Sequence, residues 1–164
     1  MCGIVGYVGL QQAYPIVIEG LRKLEYRGYD SAGVCMFGET FHLYKAKGDV
    51  NNLVSHIGSA PVEGTMGIGH TRWATHGEPS DVNAHPHLSM FGKFVLVHNG
   101  IIENYRVLKD KLETRGYEFR SETDTEVVAH LLADVYDGDF VAAVRTVLNT
   151  VEGSYSLVFL SKAH

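Results

Sequence analysis

Cysteine is scarce in this chain, with Cys2 and Cys35 the only two among 164 residues. They allow one bridge at most, so a disulfide scaffold is excluded and a reducing compartment is the simpler setting. Long apolar runs are missing as well. None approaches the roughly 18 residues of a membrane span, and the N-terminus lacks the basic and apolar stretches of a secretory signal. A cytosolic location with no membrane partner is therefore the default expectation. Basic charge is the third shortage: 14 Lys and Arg against 19 Asp and Glu give a net charge of −5. Without a Lys/Arg block anywhere, nucleic acid is not an expected partner. What remains is ordinary globular material, 45% hydrophobic and 20% charged. The length suits one domain with a small-molecule or protein partner.

The pattern of apolar residues predicts mixed strands and helices. Gly3 to Val8 reads as a strand that starts at the very terminus and would hold the first residues in place. Val17, Leu21 and Leu24 share one face of a helix over 13–24, closed by Tyr26-Arg27-Gly28. Ala32 to Phe37 and Thr40 to Lys45 suit a hairpin around Gly38-Glu39, and Asp49 caps a short helix to about Ile57. A strand over 65–71 leads into a long polar stretch, Arg72 to Met90, whose irregular length suits a binding loop or a lid hinged at Gly77. Phe94 to Val97 reads as a strand covered on both faces. Ile101, Tyr105, Leu108 and Leu112 predict a helix straight after it, so that a sharp strand-to-helix turn falls at Asn99-Gly100. Thr123 and Glu126 form a capping box for a helix to Tyr136, Asp139 caps the next, and Ser154 to Leu160 is the last strand. Without a repeat or a linker, a layered α/β domain fits.

The residue that invites chemistry is Cys2. A small residue after Met1 favours trimming of the methionine, which would leave Cys2 first in the chain. Its thiol is then a nucleophile, and its own α-amine, titrating at roughly 7.7 to 8.0, is a general base near the working pH. One residue supplies both functions. Position alone would allow a chance small residue, so the neighbouring motifs decide.

Those motifs are Cys2-Gly3-Ile4-Val5-Gly6, Glu25-Tyr26-Arg27-Gly28-Tyr29-Asp30-Ser31-Ala32-Gly33, His70-Thr71-Arg72-Trp73-Ala74-Thr75-His76-Gly77, His98-Asn99-Gly100-Ile101-Ile102-Glu103-Asn104 and Ser121-Glu122-Thr123-Asp124-Thr125-Glu126. In this order they resemble the class II glutamine amidotransferase domain, an N-terminal-nucleophile hydrolase, from Cys2 to about Leu160. The Tyr-rich run at 26–33 and the Trp after Arg72 bring it nearest to members joined to a sugar-isomerase domain. The resemblance implies an αββα sandwich, α/β in class, in which Cys2 attacks the side-chain amide of L-glutamine through a thioester. It implies Asn99 and Gly100 as the oxyanion hole, Arg72 for the α-carboxylate, Asp124 for the α-ammonium, and Trp73, Thr75, His76 and Gly77 as a glutamine-contacting loop. Arg27 matches an arginine near the nucleophile, where positive charge favours the thiolate. Two alternatives stay open: a glutamine-binding domain whose cysteine is idle, and a sibling enzyme with another ammonia acceptor.

No cofactor is expected. His85-Pro86-His87 with His70, His76 and His98 lacks the ligand spacing of a zinc pattern, so these read as polar loop residues satisfied by hydrogen bonds. Cys35, between Val34 and Met36, reads as an inert core thiol. Family members continue past this point, so the chain is expected to be the N-terminal part of the glutaminase domain, with the sugar-isomerase domains absent. A last strand left without its neighbour would be a pairing edge, which makes a homodimer an expectation.

Overall fold

The computed structural model describes residues 1–162. In chain order it contains β1 (Gly3–Val8), α1 (Ala13–Leu24), β2 (Ser31–Phe37), β3 (Phe41–Lys47), α2 (Val50–Ile57), β4 (Met66–Arg72), β5 (His87–Leu88), β6 (Phe94–Ile102), α3 (Tyr105–Thr114), α4 (Asp124–Val135), α5 (Phe140–Thr150) and β7 (Gly153–Ser161). The strands form two antiparallel sheets, ordered β1-β4-β2-β3 and β5-β6-β7.

Alternation along the strands explains the layering. In β2, Val34 and Met36 pack with Val17, Leu21 and Leu53 of α1 and α2, while Cys35 between them turns to the other side. In β6, Phe94 and Leu96 pack with Val128, Leu132 and Val147 of α4 and α5, while Val95 and Val97 meet Cys35 and Ile68. Successive side chains point to opposite faces, so each central strand feeds two cores and reads as one continuous apolar run. Three cores in a row give helix, sheet, sheet, helix. Cys35 is fully buried, and that burial pushes its thiol up to about 12, which keeps it protonated.

The terminus is held where the sequence places it, with Gly3 opposite Thr71. A Cβ on Gly3 would come within 2.7 Å of the Leu24 Cβ and 2.8 Å of the Thr71 hydroxyl, so only glycine lets β1 lie this close.

Three local expectations are corrected. Asn99-Gly100 is not a strand-to-helix turn: β6 continues to Ile102, pairing Asn99 with Ser156, Gly100 with Tyr155 and Ile101 with Ser154, and α3 starts only at Tyr105. Pairing with β7 overrides the helical spacing that Ile101 shares with Tyr105. Ile101 is accordingly exposed, while Ile102 enters the core. Within the stretch expected to be irregular, His87 and Leu88 pair with Leu96 and Val95 as β5. The capping box at α4 is half formed. Thr123 accepts from the Glu126 amide, but the Glu126 carboxylate turns to the amides of Arg120 and Ser121 and to the Ser121 hydroxyl. The caps of α2 by Asp49 and α5 by Asp139 form as expected.

Candidate active site

The two sheets meet at the chain's beginning. Cys2 lies beside the end of β4, where the Trp73 amide donates to its Sγ at 3.2 Å. From the other sheet, the Asn99 side-chain Nδ2 donates to the Cys2 carbonyl at 3.1 Å. These residues open onto a cavity of about 470 Å³, within the usual range for small-molecule sites. Its walls carry Arg27, Arg72, Trp73, Thr75, Asn99, Gly100 and Asp124.

Burial raises the Cys2 thiol pKa; the Trp73 amide, the amino terminus and Arg72 pull it down, and Asp30 pushes it up. The net shift is upward, so the thiol needs a base to become a nucleophile. Arg27 lines the cavity, and its Nη2 lies 3.8 Å from the Met1 sulfur.

Arg72 is buried and serves the loop that follows it. Its Nη2 donates to the carbonyls of His76 and Gly77, and its Nη1 to that of Glu78 at 3.4 Å. Of five guanidinium hydrogens, this leaves the Nε–H and one on Nη1 for a ligand. His76 and Gly77 do not reach the cavity wall themselves: they fix Arg72 through their carbonyls, and the His76 ring packs edge-on to Tyr105. The segment 73–86 is further tied down by Asp30, which accepts from the Ala74 amide at 2.5 Å, and by Asn83, which bonds Glu122 through both ends of its amide.

Asp124 begins α4. Its Oδ2 accepts from the Ile102 amide at 2.8 Å and its Oδ1 lies 4.0 Å from the His76 Nδ1. One carboxylate oxygen is therefore engaged by the backbone, the other accepts no hydrogen bond from the described residues, and Asp124 itself lines the cavity.

Residues that sequence reasoning did not bring to this wall include His85, His98, Thr123, Thr125 and Tyr155. Tyr155 arrives through the β6–β7 register, which no local pattern announces. The histidines are hydrogen-bonded as read, but they are not surface loop residues: His70, His85, His87 and His98 are all buried. Thr125 Oγ1 links His98 Nδ1 at 2.9 Å to His85 Nε2 at 3.3 Å. Burial lowers the pKa of all four rings, and that of His70 falls to about 3. These imidazoles are neutral in the fold, whereas in the unfolded chain they take up protons below about pH 6.5. The unfolded state then binds more protons, so stability falls as pH drops from about 6.5 toward 3. The slope reaches about 1.4 kcal/mol per pH unit for each histidine. Urea unfolding at about pH 7.5, 6.5 and 5.5 is expected to show this loss; a flat profile would contradict neutral buried rings.

A cysteine fixed at the head of the first strand, inside a four-layer sandwich and facing a cavity that also presents Arg72, Asn99 and Asp124, defines a hydrolase fold of the N-terminal-nucleophile type. The family described as "Glutamine amidotransferase domain" matches residues 70–164, and the chain belongs to it. The chain is 60% identical over 99% of its length to the glutamine–fructose-6-phosphate aminotransferase (isomerizing) of Caldanaerobacter subterraneus subsp. tengcongensis. It is 53% identical, over its whole length, to the protein of that name from Thermus thermophilus. It spans 27% of the length of each. Among solved structures, the glutamine phosphoribosylpyrophosphate amidotransferase of B. subtilis, complexed with ADP and GMP, superposes with a TM-score of 0.86 at 27% identity. That match covers 99% of this chain and 35% of the other.

Proposed function

We propose that this chain is a glutaminase domain that hydrolyses L-glutamine to glutamate and ammonia through a thioester on Cys2. The carrying observation is the cysteine held between the Trp73 amide and the Asn99 side chain at a cavity that also presents Arg72 and Asp124. With Met1 trimmed, the Cys2 amine takes the thiol proton as Sγ bonds to the glutamine Cδ. The resulting oxyanion is met by an Asn99 Nδ2–H and the Gly100 amide, N–H donors of the kind that a developing negative charge requires. Collapse breaks the C–N bond, and the ammonium of Cys2 returns the proton to the departing ammonia. Water, deprotonated by the same amine, then attacks the thioester; the C–S bond breaks, the departing sulfur takes the proton back from the ammonium, and glutamate leaves. Selectivity comes from the free hydrogens of Arg72 on the α-carboxylate and from Asp124 Oδ1 on the α-ammonium.

Identity with the fructose-6-phosphate aminotransferases supports a wider role, in which the ammonia passes to a C-terminal sugar-isomerase domain that converts fructose 6-phosphate to glucosamine 6-phosphate in the cytosol. The test of the domain is direct. Protein whose intact mass lacks one methionine should release equimolar ammonia and glutamate from L-glutamine. Methionine-free protein that releases neither would overturn the reading.

A further inference from the structure

Asn99 can serve an oxyanion only if its amide is the right way round, because the two ends of that group have the same shape and opposite chemistry. Its Nδ2 end faces the Cys2 carbonyl at 3.1 Å, and its Oδ1 end lies 2.8 Å from the Nε2 of His70. The same His70 nitrogen is 3.0 Å from the His98 carbonyl oxygen. A carbonyl only accepts, so His70 Nε2 carries the hydrogen. The other ring nitrogen, Nδ1, is buried with no hydrogen-bond partner among the described residues. The ring itself is fully buried and stacked on His85, with centroids 4.2 Å apart and planes 15° from parallel. It can neither turn nor exchange its hydrogen with solvent easily, and its low pKa keeps it neutral throughout the working range.

We propose that His70 is a positioning residue for the oxyanion hole: its Nε2–H holds the oxygen end of the Asn99 amide and so turns the NH2 end toward Cys2. A flipped Asn99 would set its oxygen against the Cys2 carbonyl and its NH2 against the His70 N–H, two repulsive contacts in place of two hydrogen bonds. One hydrogen of the NH2 is used by the Cys2 carbonyl, and the second is left for the developing oxyanion. This inference rests on the glutaminase reading for its kinetic consequence. The hole matters once the carbonyl oxygen gains charge, so loss of His70 acts on kcat and leaves KM for glutamine nearly alone.

The experiment compares His70→Gln, which keeps an N–H at a similar distance from the backbone, with His70→Leu, which fills the space without a donor, both in the full methionine-trimmed chain. The expected result is a fall in kcat of about 100-fold for His70→Leu with KM within about threefold, and recovery by His70→Gln to within about tenfold of the parent. Alkylation of Cys2 by iodoacetamide, which builds no oxyanion, should keep its rate in both variants. Parental kcat in His70→Leu overturns the proposal. So does equal impairment of the two variants, or a joint loss of kcat, KM and alkylation. Long-range 15N–1H NMR of the resting protein supplies a readout independent of turnover. The Nε2–H tautomer of His70 is expected, and a Nδ1–H or charged ring overturns the assignment. Parent protein that shows this tautomer but releases no ammonia defeats the glutaminase reading and leaves the His70–Asn99 pairing standing.

Discussion

Replacing Cys2 with alanine is expected to lower glutamine hydrolysis by a factor on the order of 10⁴ or more while leaving the urea midpoint nearly unchanged. The asymmetry follows from what Cys2 touches. Its side chain is partly exposed, and among the described residues Sγ has hydrogen-bond contacts with the Trp73 amide and carbonyl alone. Losing a sulfur acceptor at a partly solvated position costs little, since water can replace it. The chemistry has no such substitute. The pKa of this thiol is raised above its ordinary value, chiefly by burial, so few thiolates form spontaneously near neutral pH, and the base proposed to take the proton is the α-amine that Met1 removal would free. The same reasoning gives a sign for pH: kcat should rise as the amine loses its proton, through roughly pH 7.7 to 8.0. Protein that retains Met1 keeps the thiol but ties the amine in a peptide bond, and should be as inactive as the alanine variant. Ammonia release by Cys2→Ala within tenfold of the parent would remove Cys2 from the mechanism.

Much of the fold was legible in the sequence because each layer leaves a local signature. The boundaries of β1 and α1 match the apolar pattern residue for residue, and the Asp49, Thr123 and Asp139 caps mark three helix starts. The failures share a cause, which is contact between residues far apart in the chain. Ile101 fits a helix by spacing, yet its backbone is claimed by Ser154, some fifty positions later. His87 and Leu88 form a strand only because β6 runs alongside. The cysteine, the Asn-Gly pair and Arg72 could be singled out because motif order carries them. That His76 and Gly77 hold Arg72 through their carbonyls, and that four buried histidines stand in and behind the cavity wall, depends on side-chain packing that no spacing rule encodes.

Gly100→Ala should be the most damaging substitution at the site apart from Cys2, and the reason lies in the extension of β6 past Val97, which the sequence pattern did not show. Gly100 sits in β6 with φ +122°, a backbone angle that side-chain-bearing residues rarely adopt. A Cβ built there would fall 2.0 Å from the Ser154 carbonyl oxygen and 2.9 Å from the Tyr155 Cα. Both obstacles are backbone, so no rotamer change relieves the clash and β6 must separate from β7. The movement displaces the Gly100 amide, the second donor of the proposed oxyanion hole. A destabilisation of about 2–4 kcal/mol is expected from strain and lost pairing, together with a fall in kcat on the order of 10²–10³. Gly116→Ala separates the two causes. Gly116 also has a positive φ, +89°, but a Cβ there meets nothing within 4 Å. That variant should lose about 1 kcal/mol from backbone strain alone and keep its kcat. If both glycine variants lose equal stability and both turn over normally, the close approach of β7 is not what holds the Gly100 amide in place. If only Gly100→Ala loses turnover, the oxyanion hole is built by strand pairing, with glycine required because a neighbouring backbone occupies the position of its missing Cβ.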